Sequence, residues 1–215
     1  MSYQTRKHLD QNNLLPDRQF GFRNNHSIEY LLHNTMRTIC EAKNQKFSIS
    51  ILYIDLSKAF DLIDHRTALL SIKFGIGAKD STVAWFASYL SNRRQFVQIG
   101  KARSETLPTG PISAPQGTVL GPLLFLIYII TFNEVCKNLV DYRGFADDST
   151  LIFTAENDAA LKSKIDKTLP IIMAWFQDFR LILNVTKTKI MHMFNTNPGN
   201  ITLNNVNLEV VNYYK

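Results

Sequence analysis

The residues best equipped for chemistry in this chain are acids. Asp147 and Asp148 stand side by side in "GFADDST" (144–150), and Asp55 closes the apolar run "FSISILYID" (47–55). Adjacent carboxylates repel, so the doublet has two readings. It is either the tip of a hairpin, where Asp is a good turn former, or a seat for cations. Taken alone, those seven residues favour neither. If the strands carrying Asp55 and the doublet neighbour each other in one sheet, three acids gather at its edge. At least one carboxyl is then pushed toward its neutral form. Divalent cations relieve that cost, because Mg2+ takes a few carboxylate oxygens with waters and substrate phosphates rather than a full protein cage. Two such ions, about 3.5–4 Å apart, activate an attacking oxygen and stabilise a leaving one in phosphoryl transfer. Asp61 and Asp64 compete for such a role. Asp64 has a simpler one as a helix cap, and Asp61 can be solvated or paired with Lys58.

The elements that must position these acids can be read from hydrophobic spacing. Residues 27–40 place Ile28, Leu31, Leu32, Met36 and Ile39 at helical intervals, with Ser27 as N-cap and Glu29 in the first turn. In 47–55 the period is two at the start and both faces turn apolar toward the end, which predicts a strand covered on both sides. Asp64 then caps a helix ended by Gly75, and Asp80 caps another carrying Trp85, Phe86, Tyr89 and Leu90. Residues 93–100 read as a strand, and 107–117, with three prolines and two glycines, as loop. A buried helix covers broadly 118–138, and residues 140–153 read strand, tight turn, strand with Asp147-Asp148 at the turn. An amphipathic helix spans 157–179, kinked or divided by Pro170, and a last strand covers 189–194. Strands interspersed with helices outside a strict βαβα order predict an α+β domain, an antiparallel sheet backed by helices.

With 215 residues, 45% hydrophobic and 20% charged, the chain suits one globular domain and excludes disorder. The formal charge of +6 permits polyanionic partners without requiring them. Cys40 and Cys136 lie far apart with no metal-ligand spacing, which argues against a disulfide framework or zinc site and fits a reducing interior. The polar N-terminus is no signal peptide. "VLGPLLFLIYIITF" (119–132) is shorter than the roughly 20 residues of a bilayer span, so it is read as a core helix and no membrane is expected.

Four segments occur in order: "LYIDLSKAFDLIDH" (52–65), "APQGTVLGPLLFLIYI" (114–129), "GFADDSTLIF" (144–153) and "LNVTKTKIMHMF" (183–194). They resemble the palm motifs of reverse transcriptases encoded by non-LTR (LINE-like) retrotransposons, and "QFGFRNNHS" (19–27) resembles a fingers motif of the same group. The resemblance implies a polymerase palm with partial fingers (about 1–46 fingers; about 47–215 mainly palm with an intervening fingers-like segment). It implies a domain truncated at both ends, the thumb absent. It implies RNA-directed DNA synthesis with an RNA template, a DNA primer and deoxynucleoside triphosphates as partners. The setting would be intracellular, nucleus or cytoplasm.

Carried over by position, Asp55, Asp147 and Asp148 would hold two Mg2+ ions (or Mn2+ in substitution), with the backbone carbonyl of Leu56 as a further ligand. Phe60 would lie under the incoming sugar, where its ring collides with a 2′-hydroxyl; ordinary core packing is its other reading. Gln116 and Gly117 would line the nascent base pair, or make a plain turn into the following helix. Lys187 is placed as general acid or phosphate neutraliser, though exposed lysines are usually only solvated. Arg23 would contact template or triphosphate, or make a surface salt bridge. The family usually has Gly-Val where Ser113-Ala114 stand and Asn-Asp where Ile130-Thr131 stand; Thr118 and Phe145 are milder departures. The alternative to an active enzyme is a decayed or repurposed remnant that binds RNA or protein and catalyses nothing. A metal-dependent phosphatase with an Asp-x-Asp loop fits poorly, because Leu-Ser-Lys follows Asp55.

Overall fold

The computed structural model describes residues 1–114 and 117–212. In chain order the elements are α1 (Ser2–Gln11), α2 (Ile28–Asn44), β1 (Ser48–Ile54), α3 (His65–Leu70), α4 (Asp80–Leu90), and four two-residue strands. These are β2 (Arg94–Gln95), β3 (Gln98–Ile99), β4 (Ala102–Arg103) and β5 (Leu107–Pro108). Then follow α5 (Leu120–Tyr128), α6 (Phe132–Cys136), β6 (Asp141–Phe145), β7 (Asp148–Ala155), α7 (Asp158–Asp178), β8 (Lys189–Met193), β9 (Thr202–Leu203), β10 (Val206–Asn207) and β11 (Glu209–Val210). The chain divides into two compact units, Met1–Leu14 with Phe60–Ile130, and Leu15–Ala59 with Thr131–Lys215.

The second unit is built on a five-stranded sheet in the order β11-β8-β1-β7-β6. It is antiparallel except at its edge, where β11 runs parallel to β8. Alternation along β1 explains its central place. Ile49 and Ile51 pack with Ile39 and Ala42 of α2 and with Ile152 of β7, while Leu52 and its partner Leu151 are buried on the other face. The helix α7 lies against β7 and β1 and buries Leu161, Ile165, Leu169, Ile172, Trp175 and Phe176. The predicted strand covered on both sides is what forms. Ser27 caps α2 by accepting from the Tyr30 N–H, as its position predicts. Behind β6 the buried Arg143 pairs with Asp141, which also pairs with Arg18, and Arg143 Nη2 donates to Thr38 Oγ1 of α2 at 3.2 Å.

The first unit is mainly helical. Asp64 accepts from Thr67 N at 2.9 Å and caps α3, and a π-helical turn, Ser71–Gly75, carries that helix to the expected glycine. The helix α5, which buries Gly121 and every residue from Leu123 to Tyr128, supplies its centre.

Five expectations need correction. The strand over 93–100 is two short strands, because Val97 N bonds Ser104 Oγ (2.9 Å) instead of a carbonyl and the ladder breaks there. Leu107–Pro108, expected as loop, closes the same ribbon as β5. The helix over 118–138 is two helices, α5 and α6. The β-branched run Ile129-Ile130-Thr131 interrupts it as a turn. Asp80 lies in the first turn of α4 instead of capping it; Lys79 is the N-cap residue. Pro170 neither ends nor divides α7, which runs on through it. Both Pro170 and Asp166, the residue four before it whose carbonyl the missing N–H leaves free, are exposed, so the break in the ladder falls on the solvent side.

Candidate active site

All three acids belong to the sheet unit, and the strand register brings them to one rim. Residues 54 and 149 face each other across β1 and β7, so Asp55 follows the last paired residue of β1 where Asp148 begins β7. Asp147 is the second residue of the two-residue turn between β6 and β7, and Phe145 pairs with Asp148 across it. The expectation that the doublet sits at a hairpin tip is met, with Asp148 already in the strand. Burial raises the Asp148 carboxyl above its ordinary range, and the charges of Asp147 and Asp55 raise it further. The three acids therefore feel one another across 92 to 93 residues of sequence.

Two separate segments brace this rim, one bonded to the main chain of Asp55 and one to the hairpin that carries Asp147 and Asp148. The loop 183–188 holds Asp55: Asn184 N donates to Asp55 O at 2.9 Å, and Asp55 N donates to the buried Thr188 Oγ1 at 3.4 Å. Asn184 Oδ1 also accepts from Lys187 N (3.3 Å), which shapes the turn that carries Lys187 outward into solvent. Leu56 is buried and bridged to Leu183.

The hairpin has its own clamp, made by residues 18–21. Phe20 N donates to Gly144 O (2.7 Å) and Gly144 N to Arg18 O (2.8 Å), so this segment adds to the open edge of β6. The amide of Gln19, only 2% exposed, spans the turn itself. Its Nε2 donates to Ala146 O (3.2 Å), while its Oε1 accepts from Ala146 N (3.2 Å) and Gly21 N (3.1 Å). Ala146 sits at φ +58°, a left-handed conformation that an alanine holds only under constraint. Gly21 is required by space: a Cβ there would lie 2.2 Å from Ala146 N and 2.9 Å from Phe145 C.

Gln19 and Gly21 were not singled out from sequence as site residues. The available signal was a glycine inside "QFGFR", and no local pattern says which backbone it must approach. Arg23, from the same segment, donates to the carbonyls of Pro16 and Gln19 and so braces its own loop. Among the other predicted residues, Phe60 belongs to the first unit, half-buried with its ring 4.9 Å from that of Phe125. Gly117 is exposed at φ +72° with nothing near its would-be Cβ, and Gln116 lies outside the described residues. Asp64 is occupied as a cap.

The donor set suits a hard cation. All its donors are oxygens, and Asp148 is destabilised as an anion by burial and by its acidic neighbours, the condition a bound cation relieves. Among the described residues, no three His, Cys, Asp or Glu side chains close into a ready-made metal cage. Mg2+ does not demand one where phosphates and water complete its shell.

Comparison with known proteins gives one answer. Residues 1–211 match the family described as reverse transcriptase (RNA-dependent DNA polymerase). A probable RNA-directed DNA polymerase from transposon BS of Drosophila melanogaster is 31% identical over 192 residues, covering 84% of this chain and 20% of that protein. The RNA-directed DNA polymerase from the mobile element jockey of the same fly is 26% identical over 180 residues, covering 80% of this chain and 19% of the relative. The chain thus spans about a fifth of these relatives. Among solved structures, apo telomerase from Candida tropicalis, truncated from its C-terminal domain, superposes with a TM-score of 0.65 at 12% identity. That match covers 97% of this chain and 42% of the telomerase, and it shows a shared fold. The α+β, palm-like architecture and the likeness to non-LTR retrotransposon polymerases are both borne out. No helix among the described residues is long and apolar enough to cross a membrane. The chain belongs to the reverse transcriptase (RNA-dependent DNA polymerase) family.

Proposed function

We propose that this chain performs RNA-directed DNA synthesis, adding deoxynucleotides to a primer 3′-hydroxyl along an RNA template. The observation that carries this reading is the meeting of Asp55, Asp147 and Asp148 at one rim of the sheet, with Asp148 raised by burial and by the charges of the other two. In this reading residues 47–215 are mainly palm with an intervening fingers-like segment, and residues 1–46 contribute fingers. Asp55, Asp147 and Asp148 hold two divalent cations, with the Leu56 carbonyl beside them. Mg2+, or Mn2+ in its place, supplies when bound the positive charge that favours an ionised primer hydroxyl and a departing pyrophosphate.

The protein's own contribution is placement. Two main-chain clamps hold the acids where charge develops, so that little reorganisation accompanies the reaction. Lys187, exposed on its turn, is free to meet a phosphate and to deliver a proton to the leaving group. Phe60 discriminates against ribose by bulk, Gln116 and Gly117 border the new base pair, and Arg23 steadies the loop behind the hairpin. An intracellular setting, nucleus or cytoplasm, fits the two free cysteines, exposed Cys40 and buried Cys136.

Primer extension on poly(rA)/oligo(dT) with dTTP and Mg2+ tests the proposal. Incorporation that disappears in Asp147→Asn is the expected result. No Asp147-dependent incorporation means that the chain is a remnant that binds without catalysis.

A further inference from the structure

We propose that the ribbon formed by residues 93–108 is a docking arm for single-stranded nucleic acid. This goes beyond the polymerase reading, since it concerns a surface in the first unit and needs no chemistry at the acids. The ribbon has two tiers. In the first, β2 pairs with β5; in the second, β3 pairs with β4 around a turn at Gly100, φ +60°. Every residue from Ser91 to Glu105 is exposed. A two-stranded ribbon of this size gains little stability from its own packing. Yet this one displays Phe96, Val97, Ile99 and Leu107 at 43%, 65%, 78% and 59% exposure. Such apolar exposure is a property of surfaces that bind.

Charge selects the kind of partner. Arg93, Arg94, Lys101 and Arg103 face a single acid, Glu105, so 16 residues hold a net +3, half of the chain's formal charge of +6. Among the described residues, none of these four cations forms an ion pair with a carboxylate. The three arginines are instead ordered by neutral groups. Arg103 lies over the Phe96 ring at 3.5 Å and Arg93 over Tyr89 at 4.4 Å. Arg94 Nη2 donates to Thr106 O at 3.1 Å, and Arg103 Nη2 to Thr106 Oγ1 at 3.4 Å. Guanidinium groups held over rings, with no carboxylate partner, are prepared for phosphate oxygens and for base faces. An aromatic with neighbouring cations along an exposed strip is the stacking platform by which proteins hold unpaired strands without reading sequence. A duplex, whose bases are already stacked, would engage the cations but gain nothing from Phe96.

The test uses the full chain and a labelled oligo(U) strand, read by fluorescence anisotropy across a salt series. For single strands the salt slope falls by about 0.7 for each phosphate that is no longer neutralised. The triple variant R94A/K101A/R103A should therefore flatten the slope by about 2. Between 50 and 200 mM salt that corresponds to an affinity change roughly 20-fold smaller than in the wild type. F96A should weaken oligo(U) by about fivefold or more, as removal of one stacking ring predicts, and leave a duplex of equal length unaffected. Circular dichroism of both variants checks that the fold is kept.

Unchanged slope and affinity in the two variants would overturn the proposal, as would capture by phosphatidylserine vesicles but not by the strand. The catalytic reading stays separable, because Asp148→Asn, which should end synthesis, should bind oligo(U) as the wild type does through this arm.

Discussion

Replacing Gln19 with Ala removes a side chain that makes three hydrogen bonds at the acid hairpin, at 3.2, 3.2 and 3.1 Å. Their partners are main-chain groups of Ala146 and Gly21, and Gln19 is 2% exposed, so water does not readily replace the missing amide. At about 1 kcal/mol net for each hydrogen bond, the expected loss of stability is about 3 kcal/mol. For a chain of this length that lowers the melting midpoint by about 6–12 °C. The loss should be local before it is global. Backbone hydrogen exchange should accelerate at Ala146 and Asp148, while amides of α4 keep their protection. Q19E sharpens the test, since its carboxylate keeps the acceptor, loses the donor to Ala146 O, and adds a charge beside an acidic turn. It should be as damaging as Q19A at neutral pH and partly recover in acid. A Q19A protein that loses less than about 0.5 kcal/mol, with exchange at the turn unchanged, would refute the idea that this amide fixes the hairpin.

Other outcomes follow from the same geometry. Asp148→Asn should leave the metal-free protein equally or more thermostable, because a repulsion is relieved; melting well below the wild type would make Asp148 a structural residue. Its carboxyl is raised in the folded state, so the stability it contributes is fully present below the ordinary carboxylate range and is lost as pH rises through the raised value. A thermal-melt series over that acid window should therefore show a decline in the wild type that Asp148→Asn lacks. Gly21→Ala forces a Cβ into the Phe145–Ala146 peptide and should cost about 3 kcal/mol, the upper end for overpacking, read by urea denaturation. In an active preparation, Phe60→Val should admit ribonucleotides; unchanged discrimination would remove its steric role.

Much of the site was legible because it is local in sequence. Period-two alternation fixed β1 up to Asp55, and a turn-forming doublet between two strands fixed the hairpin. Ser27 and Asp64 were readable as caps because a cap bonds only two or three residues ahead. What escaped depends on distant partners. The polar helix α1 buries only Thr5 and Leu9, too little periodicity to predict it. The ribbon at 93–108 turns on a side-chain oxygen replacing a carbonyl, and no pattern announces that. The pairing of Gln19 with a turn more than 120 residues away has no local signature at all.

That pairing also bears on the order of assembly. The β6–β7 hairpin closes over a two-residue turn and can form as soon as its strands exist. The Gln19 bracket must instead close a loop of 127 residues, at a far larger entropic cost. A nascent or refolding chain should thus hold its acidic turn loosely first and rigidify it in a later, slower kinetic phase.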